Sequence, residues 1–252
     1  MLRNAKTLLG HELRARDGRI GHVANFSFDD RRWVVRYFVV ETGGWLSGRS
    51  VLISPVSVHA PKWEKRSLPV DLTKEQVRLS PGVAMEVVTP EDEVRLASYY
   101  SWPPYWVTPG FLEGGFGLPI MPPPVKHDVA PRDGDGSRAT SGHRLRSVHQ
   151  VTGYTIEAVD GAIGHVEDFV LDDENWRIRF VLVDTRNWWA GKKVFVGPER
   201  IRGVDWDEAK VQVDLTRAEI QLSPEFDRHT PNATEYAHQV EDYYAHVAHR
   251  VS

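Results

Sequence analysis

The heptapeptide DGRIGHV (Asp17 to Val23) recurs as DGAIGHV (Asp160 to Val166) in the second half of the chain. The offset that carries Asp17 onto Asp160, applied without a gap, aligns residues 10–81 with residues 153–224, and about 27 of about 72 aligned positions are identical. This spacing is far longer than a solenoid period of roughly 20 to 50 residues. Duplication of a complete domain is the simplest explanation. We call this spacing the repeat offset.

Each copy has the pattern of a succession of short β-strands. Asp17-Gly18 lies between two extended runs and predicts a hairpin, because glycine tolerates positive φ. The segment RRWVVRYFVVET (31–42) is rich in β-branched and aromatic residues and predicts a largely buried strand. RSVLIS, VSVHAPKW and SLPVDLT predict three further strands. So many short strands in each copy favour a small closed or nearly closed barrel.

Short helices are predicted to follow the strands. DLTKEQVRLSP (71–81) predicts a helix capped by Asp71 or Thr73, and its second copy has Asp214 or Thr216 at the same place. A longer helix is predicted for residues 232–250, with a docking face formed by Tyr236, Val240, Tyr243 and Val247. The predicted division is a first barrel with a short helical tail at 1–100, a Pro/Gly-rich linker at 101–147, and a second barrel with a C-terminal helix at 148–252.

Composition excludes several classes of protein. The net charge of -4 disfavours nucleic acid as the main partner, because phosphate-binding proteins usually carry a basic surplus. The absence of cysteine excludes a disulfide framework and thiolate metal sites. The chain shows neither a signal-peptide pattern nor a run of roughly 18 apolar residues, so we expect a soluble cytoplasmic protein.

Both copies share one longer pattern. It runs G-x-x-[LI]-x-x-x-D-G-x-I-G-x-V, then Asp-Asp near a tryptophan, a strand ending in Glu-Thr or Asp-Thr, and VLISP or VFVGP. On these residues each copy resembles the PRC-barrel, a small β-barrel family found in the cytoplasmic region of the photosynthetic reaction centre H subunit and in a ribosome maturation factor. The resemblance implies a mainly β chain with two homologous PRC-type barrels, short helices after each and a Pro/Gly-rich linker.

The resemblance also implies a function. It suggests protein interaction or scaffolding and carries over no catalytic residues, so we expect a bacterial protein that is not an enzyme and has no cofactor. The partner would be a protein, and the H subunit suggests a photosynthetic or membrane electron-transfer assembly. Alternatives are a small-molecule or metal-binding sensor using the cleft between the barrels and a ribosome-assembly role. Duplicated domains often reuse a homodimer interface, so we expect a pseudo-two-fold arrangement, and a homo-oligomer is a further alternative.

Tryptophans supply the first candidate binding residues. Trp45 lies in the turn GGWL (43–46), and Trp188 and Trp189 lie at the equivalent turn of the second copy. Most tryptophans in a small barrel fill the core, but we expect one ring at this turn to be exposed and able to anchor a partner.

Two equivalent arginines, Arg36 and Arg179, interrupt otherwise apolar strands. An inward-facing arginine must be paired, and the partners expected are Glu41, Asp184 or the two Asp-Asp pairs. We favour a structural ion pair over an anion-binding site.

Histidines supply the candidate metal ligands. Alternation along a strand places His22 and His165 on the face of the preceding isoleucine, in a partly buried position. The Asp-Asp pairs nearby are better explained as turn residues than as ligands. On the C-terminal helix one face carries a set that could bind zinc or nickel weakly: His238, Asp242, His246 and His249. We favour a structural role for the two motif histidines and a solvated polar face for the helix.

Overall fold

The computed structural model of the chain describes residues 1–85, 88–103, 145–185, 191–226 and 233–248. The architecture is mainly β, with two sheets and a few short helices, as predicted. Most of the predicted linker at 101–147 lies outside the described residues.

The two halves contain equivalent sets of elements. The first half contains β1 (Leu2–Asn4), α1 (Ala5–Leu8), β2 (Glu12–Ala15), β3 (Gly18–Asp29), β4 (Val34–Glu41), β5 (Ser50–Ile53), β6 (Ser67–Pro69), α2 (Lys74–Arg78) and α3 (Pro90–Tyr100). The second half contains β7 (Leu145–Ser147), α4 (Val148–Val151), β8 (Thr155–Ala158), β9 (Gly161–Asp172), β10 (Ile178–Asp184), β11 (Lys193–Val196), β12 (Ile201–Asp205), β13 (Lys210–Val213), α5 (Arg217–Leu222) and α6 (Ala233–Ala248).

Strand pairing follows the same path in both sheets. The order is β5-β4-β3-β2-β6 in the first half and β11-β10-β9-β8-β13-β12 in the second. The pairs are antiparallel except that β2 pairs in parallel with β6, and β8 with β13. Among the described residues no pairing joins the two ends of either path, so closure into two barrels stays a prediction.

The second sheet has one strand more than the first because of a proline. The segment VSVHAPKW, predicted as a strand, forms only isolated bridges at Val58 and Lys62 and has a single turn of 3-10 helix on either side. Proline has no backbone N–H to donate, and Pro61 occupies the position that Val204 occupies in β12. The strand prediction is therefore wrong for the first copy and confirmed for the second.

The repeated motif is explained by the geometry of its hairpin. The Asp17 carboxylate accepts a hydrogen bond from the backbone N–H of Lys74 (2.8 Å) at the start of α2, and Asp160 does the same for Arg217 (2.7 Å) at the start of α5. Gly18 has a φ of 144°, which only glycine adopts easily. The motif therefore joins the hairpin to the short helix, and the predicted helix caps Thr73 and Thr216 are confirmed.

The second glycine of the motif is required by a close backbone approach. A Cβ atom on Gly21 would lie 2.0 Å from the carbonyl oxygen of Glu41, and one on Gly164 would lie 2.4 Å from that of Asp184. Both neighbours are backbone atoms, so they cannot move aside as a flexible side chain would. β3 and β4, like β9 and β10, can therefore approach this closely only with glycine at this position.

The halves exchange their first strands. β1 of the first half pairs antiparallel with β9 of the second sheet, and β7 of the second half pairs antiparallel with β3 of the first sheet. Leu2 and Leu145, which begin these two strands, are related by the repeat offset. This reciprocal exchange supports the expected pseudo-two-fold arrangement.

Hydrophobic residues of both halves form one continuous core. Phe28 contacts Phe169 with 5.6 Å between ring centroids, and Phe38 meets Trp176 edge to face at 4.9 Å. All four side chains are less than a tenth exposed. Burial of this apolar area stabilises the contact between the halves as well as each half.

The two longer helices dock through equivalent tyrosines. Tyr99 of α3 donates to the carbonyl oxygen of Gln76 in α2 (2.8 Å), and Tyr243 of α6 donates to that of Glu219 in α5 (2.7 Å). The predicted docking face of α6 is largely confirmed, because Tyr236, Val240 and Val247 are buried. Tyr243 is only partly buried, and its neighbour Tyr244 is the buried member of the pair. No helix within the described residues is long and apolar enough to cross a membrane.

Candidate functional site: an arginine-rich cleft between the halves

Two equivalent tryptophans lie where the halves meet. Trp33 and Trp176 both adopt positive φ (53° and 60°) in the turns before β4 and β10. The backbone N–H of Val35 donates to the carbonyl oxygen of Trp176 (2.9 Å), and that of Ile178 donates to Trp33 (2.7 Å). These crossed bonds place β4 beside β10 and leave one cleft on each side of the junction.

The larger cleft, which we call the arginine cleft, has a volume of about 850 Å³. Its first-half lining comes from the turn Asp30–Trp33, and its second-half lining comes from β10, from β12 with the turn before it, from Trp206 and from α6. Five of the lining residues are arginines: Arg31, Arg32, Arg177, Arg179 and Arg202. Three lining carboxylates accompany them: Asp30, Glu199 and Glu241.

Two of the three lining carboxylates are engaged in ion pairs with arginines. Glu241 accepts a hydrogen bond from Arg179 (2.6 Å), and Asp30 is paired with Arg146 (3.3 Å), a residue of β7. Within the described part of the chain no carboxylate pairs with the guanidinium of Arg177 or Arg202. The cleft therefore carries a positive surplus although the whole chain carries a net charge of -4.

A second, smaller cleft of about 280 Å³ lies at the position related by the repeat offset, and we call it the counterpart cleft. Most of its residues are the counterparts of residues in the arginine cleft, but only two of them are charged, Arg36 and Glu174. Glu174 and Asn175 replace Arg31 and Arg32, and Val34 replaces Arg177. Val56 replaces Glu199, and Ala97 replaces Glu241 when the tails are aligned on their tyrosines. The basic lining is thus specific to one of the two clefts.

An equivalent arginine holds each exchanged strand in place. The guanidinium of Arg3 lies 3.8 Å from the ring centre of Trp63 and also binds Asp173, while that of Arg146 lies 3.5 Å from the ring centre of Trp206. Stacking on the ring and binding a carboxylate suit the flat guanidinium group. One member of each Asp-Asp pair therefore has a role that sequence reasoning missed, which is to bind an arginine of the other half.

The predicted role of the Asp-Asp pairs in turns is confirmed for the first member of each pair. Asp29 accepts hydrogen bonds from the backbone N–H groups of Arg31 (3.0 Å) and Arg32 (3.1 Å). Asp172 accepts one from Glu174 (3.1 Å).

The two candidate arginines on the strands differ in their surroundings. Arg36 is buried and pairs with Asp29 (3.2 Å), as predicted. Arg179 has a side chain 44% exposed and pairs with Glu241 of α6, which was not among the expected partners. The reason is that α6 carries a glutamate where α3 carries Ala97, so Arg179 stays at the surface of the arginine cleft.

Trp45 is partly buried and bonded to its own half. Its indole N–H donates to the carbonyl oxygen of Ile20, and the ammonium group of Lys74 lies 4.5 Å from its ring centre. These contacts hold the turn against the hairpin. That Trp45 anchors a partner stays a prediction. Trp188 and Trp189 lie outside the described residues.

The motif histidines do not share the face of the preceding isoleucine, contrary to the prediction. Leu13 pairs with Gly21 and Arg14 with Arg19, so Ile20 forms a β-bulge that interrupts the alternation. Ile20 is buried, whereas the His22 side chain is 41% exposed and its Nε2 lies 3.1 Å from Glu41 on the neighbouring strand. The same bulge at Ile163 precedes His165, which is partly buried opposite Thr155 and Asp184.

The candidate ligands on α6 lie on its exposed side. His238 is 3.4 Å from Glu241, and the Nδ1 atom of His246 is 2.6 Å from the carbonyl oxygen of Asp242. His249 lies outside the described residues. Among the residues that the structure describes, no three metal-ligating side chains converge.

One buried carboxylate, that of Asp168, has an uncharged counterpart in the first half, Asn25. Burial raises the pKa of Asp168 to about 6, against hydrogen bonds from the backbone N–H groups of Phe169 (2.8 Å) and Lys6 (3.1 Å) that favour the charged form. The equivalent residue Asn25 accepts the same two bonds, from Phe26 (2.8 Å) and His149 (3.2 Å). The amide meets no charge penalty at this position, whereas the carboxylate does.

Of the five cleft arginines, only Arg179 was among the residues predicted from sequence. A signal for the other four exists at the positions where the two copies differ, since Arg31, Arg32, Arg177 and Arg202 stand opposite glutamate, asparagine, valine and histidine. The identical positions belong to the framework of the fold. The differing positions point to the cleft.

Comparison with protein families identifies a match in the second half of the chain. Residues 144–220 match the family model of the PRC-barrel domain. No curated protein matches the chain significantly. The matched range begins at β7 and ends inside α5, so it spans nearly all of the second sheet. The second half of the chain therefore contains a PRC-barrel domain.

Proposed function

We propose that the chain is a tandem PRC-barrel protein that acts as a non-enzymatic scaffold and binds a protein partner through the arginine cleft. The first half is proposed as a second PRC-barrel because it repeats the motif, the strand order and the helix docking of the second. Both sheets are proposed to curl into small barrels. The single observation that carries the functional proposal is the arginine cleft, whose basic lining is absent from its counterpart.

Several features support binding over catalysis. The arginine cleft is open and lies between two halves that share one core, so it is held rigidly. Five arginines and two tryptophans line it, and both residue types are enriched at protein interfaces. The family resemblance suggests a subunit of a membrane electron-transfer assembly as the partner.

A photocrosslinking experiment in the native cell tests this proposal. A photoreactive amino acid replaces Val204 at the cleft in one version of the full chain and exposed Leu79 in the control version. We expect a discrete partner protein to be crosslinked from position 204 and not from position 79, and the purified pair to form a complex. Equal crosslinking from both positions, or none from position 204, would contradict the proposal.

A second candidate function is the binding of a small polyvalent anion. The volume of about 850 Å³ lies within the range of small-molecule sites, and arginine suits carboxylate and phosphate groups. Calorimetric titration of the full chain with citrate and with pyrophosphate tests it. Saturable binding that is lost in Arg177→Glu supports this second function, and the absence of heat at millimolar anion excludes it.

A further inference from the structure

One wall of the arginine cleft is a strand with an unpaired side. β12 is the last strand of its sheet, and among the described residues only β13 pairs with it. An edge strand presents backbone N–H and C=O groups that can pair with another chain. The first half has only isolated bridges at the equivalent segment. An edge strand beside a cleft is therefore found at the arginine cleft and not at its counterpart.

The unpaired edge borders the cleft itself. Four consecutive residues of β12, Ile201 to Val204, line the cleft. The pairing of β12 with β13 shifts register between Ile201 and Gly203, so side chains on this stretch do not alternate regularly. The cleft is also lined by β10, which does not pair with β12 among the described residues, so the cleft lies at the unpaired side of β12. Gly203 has no side chain to cover the backbone there.

The charges of the cleft select an acidic occupant. Arg202 of β12, Arg177 beside β10 and Arg31 of the first half line the same cleft as this edge and make it positively charged. One carboxylate of the chain itself, that of Glu241, already binds a cleft arginine, Arg179, so a carboxylate fits this lining. Glu199 would repel a uniform polyphosphate, whereas a peptide can place an uncharged side chain opposite it.

We infer that an acidic segment of the partner protein binds the arginine cleft in an extended conformation and adds as a strand to the free edge of β12. Backbone hydrogen bonds to β12 supply affinity, and glutamate or aspartate side chains on the cleft side bind the arginines. This inference rests on the proposed function, because it names the chemistry of the partner and its mode of binding at the same cleft.

The first test uses a fluorescent peptide of alternating glutamate and valine and the full chain, measured by anisotropy. We expect binding that weakens as salt is raised and that is lost when lysine replaces the glutamates. Arg177→Glu and Arg202→Glu should each weaken binding about tenfold. Arg19→Glu, an equal change of charge at an exposed arginine outside the cleft lining, should leave it unchanged. Equal weakening in Arg19→Glu would contradict a site at the cleft.

The second test separates strand addition from attraction of charge alone. The same peptide with methylated backbone nitrogens keeps its carboxylates but cannot donate backbone hydrogen bonds. We expect its affinity to fall more than about tenfold. Unchanged affinity would overturn the strand pairing, and tighter cleft-dependent binding of a single-stranded oligonucleotide would overturn the acidic peptide as the occupant.

The outcomes also separate this inference from the proposed function. If the partner crosslinked from position 204 binds the purified chain but is insensitive to Arg177→Glu and Arg202→Glu, the function holds and this inference is wrong. If no protein is crosslinked from the cleft while the acidic peptide still binds in the arginine-dependent way, the scaffold proposal is wrong and the peptide site stands.

Discussion

The two clefts at the junction of the halves share a framework and differ in charge. Each cleft is lined by a tryptophan with positive φ from one half and by a strand and a proline from the other half. These are Trp33, β10 and Pro198 in the arginine cleft, and Trp176, β4 and Pro55 in the counterpart cleft. The residues that hold this framework are identical in both copies, whereas five arginines gather at one cleft and valine, asparagine and alanine lie at the other. The two copies thus share the framework and differ at the cleft surface, which separates the framework residues from those of the proposed binding site within a single chain.

Removing a framework glycine should have the largest effect, and it should be severe in both halves. Gly21→Ala and Gly164→Ala each place a methyl group against a backbone carbonyl, at 2.0 Å and 2.4 Å. The strands must separate, so we expect the free energy of unfolding to fall by about 4 kcal/mol or more in each variant. Urea unfolding followed by tryptophan fluorescence measures the loss.

Gly44→Ala is the matched control, because a Cβ atom there meets nothing within 4 Å. Its unfolding midpoint should stay near that of the wild type. If one framework variant is as stable as this control, the two halves do not share the close strand approach.

The next largest effect is a pH dependence of stability that differs between Asp168 and its counterpart Asn25. The pKa of Asp168 is raised to about 6 in the folded state, so the folded protein binds its proton more tightly than the unfolded chain does. Stability contributed by this proton is present at low pH and is lost as pH rises from about 4 through about 6. Above this range the charged group costs up to about 3 kcal/mol.

Asp168→Asn should therefore raise the free energy of unfolding by up to about 3 kcal/mol at pH 8 and change it little at pH 4. Asn25→Asp should do the reverse at the equivalent position, lowering stability at pH 8. Urea titrations at both pH values measure the two effects. A gain in Asp168→Asn that is the same at pH 4 and pH 8 would show that ionisation of this carboxyl is not the cause.

A smaller effect is expected at the arginines that hold the exchanged strands. Arg146→Met leaves Asp30 without its cation, and we expect a loss of about 2 kcal/mol in the free energy of unfolding. Arg3→Met should cost only about 1 kcal/mol, because the amino group of Met1 lies 2.6 Å from Asp173 and remains as a partner. Urea denaturation measures the free energy of unfolding of both variants, and Arg19→Met, at an exposed arginine, is the control. The reverse ranking would mean that the terminal amino group does not stabilise the exchange.

The sequence predicted the framework well because the framework is what the repeat conserves. The DGxIGHV hairpin, the buried strand after the Asp-Asp pair and the threonine-capped helices are local patterns that stand in both copies. The face of His22 was predicted wrongly because a bulge at Ile20 depends on pairing with β2, which alternation along β3 alone does not contain.

The arginine cleft could not be predicted by the same reasoning. Its residues come from a turn of the first half, from β12 and from α6, and only the reciprocal exchange of β1 and β7 brings these segments together. No local pattern specifies this exchange. The difference between Pro61 and Val204 is local and accounts for a strand in the second half only, although the strand was predicted for both copies.

Substitution of arginines at the cleft surface should have the smallest effect on stability. It tests whether the arginines that distinguish the two clefts serve binding or folding. The double variant Arg31→Glu with Arg32→Asn gives the arginine cleft the residues of its counterpart at two positions, leaving Arg177 and Arg202 in place. Both arginines are exposed, and ion pairs at exposed positions contribute less than about 1 kcal/mol. We therefore expect an unfolding free energy within about 1 kcal/mol of the wild type and a large loss of acidic-peptide binding. Since the framework carries the fold in both halves, a stability loss above about 2 kcal/mol with peptide binding intact would show that these arginines hold the halves together instead.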